Sequence, residues 1–208
     1  MTSQLFKYAG IAASIVLIAI GIGSVVTGLG GRGTVHDNLG LEQITGSPDM
    51  NPTAITAEAK AAGLKGVALP TCSVADKPIN TGGQAKCFAS YIRIHALEAT
   101  GGRTYSQMGQ YLTPAGKETS DKAAAAIDPK TGKPVPNAAR NIWVTATALT
   151  TALNTSYFAE SVALFAILMG IALLLIGIGL VVLSVRWLTA PDTATQTTPT
   201  VTPKPAVA

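Results

Sequence analysis

Residues 137–183 read NAARNIWVTATALTTALNTSYFAESVALFAILMGIALLLIGIGLVVL, with no proline and no glycine before Gly170. Nothing in the first half breaks a helix, and the second half, Val162 to Leu183, carries no charge. At 1.5 Å per residue that second half reaches roughly 31–33 Å, enough to cross a hydrocarbon core of about 30 Å. Ile142, Ala146, Leu149, Leu153 and Ser156 recur every three or four residues, the spacing of one helix face. The stretch predicts one continuous helix from about Asn137 to Arg186. Its last part spans a membrane, and its first ~25 residues continue for up to about 37 Å beyond it. Tyr157 and Phe158 mark the outer interface and Trp187 the inner one.

A second apolar segment, AGIAASIVLIAIGIGSVVTGL at 9–29, is also free of charge. Together the two segments explain why a 208-residue chain is 48% apolar and only 12% charged. The first segment is longer than the ~7–15-residue core of a cleaved signal peptide and has a single basic residue, Lys7, ahead of it. It reads as an uncleaved signal anchor, with a small-residue site at Thr27-Gly28 as the place a signal peptidase would cut. Lys7 before the first span and Arg186 after the second put both termini in the cytoplasm, because basic residues concentrate on that side. The net charge of +4 forms no basic stripe, so no nucleic-acid partner is expected.

The chain between the spans holds both cysteines, Cys72 and Cys87. Outside the cytoplasm such a pair reads as a disulfide, which over a loop of about 16 residues contributes roughly 3 kcal/mol. Residues 30–50 read as glycine-rich irregular chain leaving the membrane. Asn51 as N-cap, Pro52 at the first position and Gly63 as terminator frame a short helix. A second helix is expected from Gly83 to Ala99, with Cys87, Phe88, Tyr91, Ile92 and His95 on its buried face and Lys86, Ser90 and Arg93 opposite. Residues 103–136 read as an exposed excursion. The tail from 184 to 208 is Thr/Pro-rich, with too little apolar surface to order itself, and reads as a disordered cytoplasmic segment.

The fold class that follows is an all-α membrane protein, with spans at 9–29 and 162–183 flanking a mainly helical, disulfide-stapled extracytoplasmic domain at 30–161. Residues 1–8 form a cytoplasmic N-terminus. Small residues four apart, Gly10 with Ser14, Ser24 with Gly28 and Ala166 with Gly170, plus Gly177 a heptad further on, suit close helix packing in lipid. The spacing leaves open whether that packing is within the chain or with a partner.

Chemistry-bearing residues are few. His95 and Glu98 are neighbours on a helix surface and are candidates for an acid–base pair or two metal ligands, with His36 as a third. The plainer account is a packed histidine, with Arg103 available to pair Glu98. Cys87 is two turns, about 12 Å, from His95, too far for a nucleophile and its base. No cofactor, metal or catalytic residue is therefore expected.

The segments SPDMNPTAI (47–55), RIHALEATGGRTYSQMG (93–109) and NIWVTATALTTALNTSYFAE (141–160) resemble those of an uncharacterised family of actinobacterial two-span membrane proteins. Some of its members carry an aromatic ring-opening dioxygenase label. The resemblance runs from the first span through the second and leaves out the tail. It implies a two-span protein of the cell envelope and supplies no catalytic residues. A non-haem iron oxygenase typically needs two histidines and a carboxylate on one metal. Here the only histidines are His36 and His95, and no sheet-rich scaffold is in prospect to bring them together. The expected role is a structural or interaction protein set in the bilayer and meeting another envelope protein. The alternative is a metal-binding or enzymatic module built on His36, His95 and Glu98.

Overall fold

The computed structural model describes residues 2–189, and the side chains of 8–186. The disordered-tail reading for 190–208 and the anchoring roles of Lys7 and Trp187 lie outside the described residues. The protein is mostly helical. In chain order come α1 (Thr2–Leu41), α2 (Pro52–Ala61), α3 (Gly82–Ala99), a 3-10 turn, the two-residue strands β1 (Tyr111–Leu112) and β2 (Glu118–Thr119), and α4 (Ala138–Thr189). Both α1 and α4 contain segments long and apolar enough to cross a membrane. The chain divides into two units, residues 1–23 with 169–208 and residues 24–168, which are described in turn.

In the first unit α1 and α4 pack antiparallel on small residues. A Cβ added to Gly10 would lie 2.8 Å from Ser184 Oγ, one at Gly21 2.9 Å from the Gly170 carbonyl, and one at Gly177 3.2 Å from the Ser14 carbonyl. Ser14 is fully buried and returns its hydroxyl proton to the Gly10 carbonyl at 2.7 Å. Ser14 and Gly21 are one heptad apart, as are Gly170, Gly177 and Ser184, so every second turn brings a small residue to the contact. The packing left open by the spacing is thus made within the chain.

In the second unit the two helices still touch, at Gly28, whose Cβ would stand 2.7 Å from the Ala163 carbonyl. Here the structure corrects the reading of residues 30–41 as irregular: α1 continues to Leu41. Glycine in a helix interior costs roughly 1 kcal/mol relative to alanine, which is why GLGGRG looked like an exit. Contacts along one face offset that cost. Gly28 meets α4, Val35 is partly buried, and Leu39 enters the core. The helix stops where Gln43 takes a positive φ of 50°.

The N-cap of α2 is as read, with Asn51 accepting from the Ala54 N–H at 3.0 Å, and Gly63 leaves it at φ 67°. In α3, Thr81 and Gln84 form a reciprocal capping box, so the helix starts one residue before the expected Gly83. Cys72 and Cys87 are disulfide-bonded, with Cα atoms 6.1 Å apart. Beside them the buried Tyr91 donates its hydroxyl to the Cys72 carbonyl at 2.6 Å, and burial pushes that phenol up from its ordinary pKa. The chain around Gly46 adds a second clamp: Gly46 N–H donates to Lys77 and its carbonyl accepts from Asp76. Any Cβ at Gly46 would collide with the Val74 carbonyl. Ile55, Val74, Ile79, Phe88, Tyr91 and Ile94 fill the core that these ties enclose.

On α3 the expected buried face is right at Cys87, Phe88 and Tyr91, while Ile92 and His95 are only half-buried and Ile94 is buried instead. Nor is the opposite side simply solvated: Lys86 lies over the Tyr157 ring at 4.3 Å and Arg93 over Trp143 at 5.4 Å. The seam of α4 is rotated from the expected one. Trp143, Leu153 and Ala163 are buried with Ala146 and Ser156 beside them, while Ile142 and Leu149 are exposed. Periodicity sets a helix face only to within about one residue, and the bulk of Trp143 decides which side turns inward. At its far end α4 runs on through Thr189, three residues past the expected Arg186, so the first residues assigned to the tail, 184–189, are helical.

Residues 103–136 are turns closed on the β1–β2 pair and on Glu118. Arg103 does not meet Glu98; it forms a bidentate pair with Glu118 at 2.6 and 2.9 Å. Asn137 Nδ2 and the Gly109 N–H donate to the same carboxylate at 2.9 and 3.3 Å. The Arg103 hydrogen bonds, then those from Asn137 and Gly109, outweigh partial burial and hold Glu118 below the usual carboxylate range.

Two expectations follow. Gly28→Leu, where the neighbour is backbone, should lower the thermal midpoint of detergent-solubilised protein by an overpacking cost of about 1–3 kcal/mol. Gly30→Leu, where an added Cβ meets nothing within 4 Å, should leave it unchanged or raised; equal losses in the two variants would refute the close approach. Because the folded pKa of Glu118 is depressed, its contribution is present above the unfolded value of about 4.3 and is lost as pH falls through the lower folded value. Glu118→Gln should therefore be clearly less stable than wild type at pH 6, with the gap narrowing below about pH 4 in melts across that range. A gap independent of pH would contradict the assignment.

Candidate functional site

Two clusters of ionisable side chains form in the unit 24–168, and both use a histidine that the sequence singled out. The first centres on Glu160 of α4. Its Oε2 accepts from the N–H of Gly82, the first residue of α3, at 2.5 Å. Its Oε1 accepts from Arg32 Nε at 2.9 Å and lies 3.3 Å from His36 Nε2. Arg32 and His36 are four apart, so the helical course of α1 puts them on one face above a single carboxylate. Gly82 has to be glycine, since a Cβ would lie 2.8 Å from Tyr157 Cα. The glutamate side chain is 15% exposed, whereas Arg32 is 49% exposed. The Gly82 contact is therefore the strong one. It brings a carboxylate to a helix N-terminus, where the exposed N–H groups and the dipole favour negative charge. The arrangement joins three helices.

The second cluster joins Asp49, Glu58 and His95. Asp49 sits in the turn before α2, Glu58 on α2 and His95 on α3. His95 Nε2 is 3.3 Å from Glu58 Oε2 and 3.7 Å from Asp49 Oδ2. One ligand atom from each residue lies within 4.8 Å of the other two. His95 Nε2 is inaccessible to solvent and makes no hydrogen bond, although the ring as a whole is 28% exposed. Ser47 donates its hydroxyl to the other oxygen of Asp49, leaving Oδ2 toward the histidine. The set offers one nitrogen and two oxygen donors.

The sequence candidates are thus separated. His36 goes to Glu160 and His95 to Asp49 and Glu58, while Glu98, the expected neighbour of His95, is exposed on the outer side of α3. Asp49, Glu58, Glu160 and Arg32 were missed. The i, i+4 spacing of Arg32 and His36 was a usable signal, hidden by reading that stretch as irregular. No local pattern links Asp49 or Glu58 to His95, since their meeting depends on how α2 lies on α3.

Comparison with protein-family models, with curated proteins and with solved structures finds no match to the chain.

Glu160→Ala should cost about 2 kcal/mol of folding stability, as a half-buried helix N-terminus loses a charged acceptor. Arg32→Ala should cost under about 1 kcal/mol, because a half-exposed ion pair is screened. Denaturant titration of the detergent-solubilised variants compares them. A larger loss for Arg32→Ala than for Glu160→Ala would mean that the ion pair, not the helix terminus, carries the junction.

Proposed function

We propose that this chain is an integral membrane protein of the cell envelope, spanning the bilayer at 9–29 and 162–183 with both termini in the cytoplasm and residues 30–161 outside. Its role is structural: it holds a stapled helical domain at the outer face for contact with another envelope protein. The observation that carries the membrane reading is the surface of the two apolar helices. Only 11% of each apolar window is buried inside the protein. Ile15, Ile20, Leu175 and Leu183 are each more than half exposed. A core helix of a soluble protein would hide such residues, whereas lipid accepts them and satisfies none of the backbone groups a non-helical segment would present.

The small-residue contacts support retention of the first span. Cutting at Thr27-Gly28 would strip Gly170, Gly177 and Ser184 of the residues that fit them. The Cys72–Cys87 disulfide supports an oxidising compartment for the loop. The structural role rests on how the polar clusters are used. Glu160 and Glu118 tie elements to one another. With the small-residue faces occupied within the chain, a partner would meet the side chains that remain exposed on α4, such as Ile142, Val144 and Phe158.

Topology is tested with reporters in cells. Alkaline phosphatase inserted at the exposed turn after Gly116 should be active, and a fluorescent protein fused to the C-terminus should fluoresce. The reverse pattern would invert the protein in the membrane. Crosslinking in native membranes before detergent extraction should recover a stoichiometric envelope protein. Recovery of the chain alone would remove the interaction role.

A further inference from the structure

We propose that Asp49, Glu58 and His95 form a binding site for a divalent cation of the zinc class. The proposal stands apart from the membrane and partner reading, and needs only that the unit 24–168 be folded.

Geometry comes first. A first-row cation with bonds of about 2.1 Å holds its ligand atoms about 3.0–3.4 Å apart. The His95–Glu58 pair already stands at 3.3 Å and the His95–Asp49 pair at 3.7 Å, with all three ligand atoms within 4.8 Å of one another, so closing the set takes carboxylate shifts of at most about 1.5 Å. The three donors come from three different places in the chain and converge without being neighbours in sequence, unlike a solvated run of acids.

The second observation is the orphaned nitrogen. His95 Nε2 is cut off from water and has no hydrogen-bond partner, though two carboxylate oxygens face it. A ring nitrogen cut off from water, with ion-pair contacts but no aligned hydrogen bond, is left incompletely satisfied. A cation between the imidazole and the carboxylates satisfies all three groups at once, with the neutral ring as ligand and the two negative charges balanced.

The third is support behind the ligands. Ser47 holds Asp49 by its other oxygen, as outer groups orient first ligands in metal sites. The next residue, Met50, is fixed at both ends, its N–H to Ser47 and its carbonyl to Val74. Asn51 caps α2 and so sets the rotation that presents Glu58. The disulfide and the Tyr91–Cys72 hydrogen bond hold the overlying loop on α3 two turns and one turn before His95, respectively.

Ligand chemistry names the class of ion. An imidazole nitrogen favours zinc and its neighbours over magnesium or calcium, which prefer oxygen alone. Three protein ligands, each 28–42% exposed, leave coordination positions open to water or to a ligand from outside. The site is therefore half-open, unlike the closed four-ligand sites that serve structure only.

The test uses the full chain in mild detergent, stripped with chelator and titrated calorimetrically with zinc chloride. Cobalt chloride, with its visible absorption band, reports the ligand environment. Wild type should take up one equivalent of zinc per chain and discriminate against magnesium. His95→Ala and the nearly isosteric Glu58→Gln should each weaken zinc binding by at least about 10-fold and alter the cobalt band. Glu98→Gln, on the same helix but exposed, and His36→Ala, in the other cluster, should bind as wild type. Should His95→Ala fail to fold, Glu58→Gln carries the comparison, since it keeps shape and volume. The proposal is overturned if wild type shows no saturable zinc binding. It is equally overturned if both variants bind unchanged, if His36→Ala abolishes binding, or if magnesium competes on equal terms.

Discussion

A single carboxylate on α4, Glu160, ties that helix to α1 through Arg32 and His36 and to α3 through the N–H of Gly82. Much of the unit 24–168 depends on this junction. It fixes the end of α3 that lies beside α4, and α3 in turn carries Cys87, Tyr91 and His95, which organise the loop, the core and the second cluster. The contact is available only because two glycines permit it. Gly82 lets α3 come against Tyr157, and Gly28 lets α1 come against Ala163, nearly two turns further along α4. Helix ends that must be satisfied and backbones that must approach closely are one requirement here, met by one acid and two residues without side chains.

The small residues along α1 and α4 have a physical logic that depends on the solvent. In water, helices associate by burying apolar side chains, and a contact made of glycine and serine would be a weak one. In lipid that driving force disappears between helices, and close van der Waals packing replaces it. The heptad spacing of Gly170, Gly177 and Ser184 against Ser14 and Gly21 is suited to lipid and poorly suited to water. Large apolar residues on the same helices stay exposed, an arrangement lipid accommodates. The pattern of what is buried, small residues in and large ones out, is the inverse of a soluble core.

The sequence was most legible where a local rule decides the outcome. The long helix from 138, the Asn51 cap, the stop at Gly63 and the bounds of α3 all follow from capping, breaking or spacing rules that act within a few residues. It was least legible where a distant contact overrides a local preference. Glycines at 30, 31 and 33 argue against helix on their own, and the contacts that Gly31, Val35 and Leu39 make with α4 and the core offset them. Arg103 was read against its sequence neighbour Glu98 and met Glu118 instead, because Glu118 accepts two parallel hydrogen bonds and Glu98 lies on the outer face of its helix. His95 was read beside Glu98 and packs against Asp49 and Glu58 instead, for the same reason: helix neighbours are visible in sequence, and packed neighbours are not.

Within α3, the residues that pin the helix and the candidate residue His95 use different turns. Cys87 and Tyr91 fasten the first half of α3 to the loop above it, and His95, a turn beyond Tyr91, faces the acids of the preceding segment. Pinning is also what any ligand set at His95 would need. Three donors on a mobile loop lose conformational freedom when an ion gathers them, and affinity falls by that amount. Here the capped helix, the clamped Met50 and the stapled loop have already removed most of that freedom in the course of folding. A helix that looks purely structural at Cys87 is, for that reason, well prepared to be something more at His95.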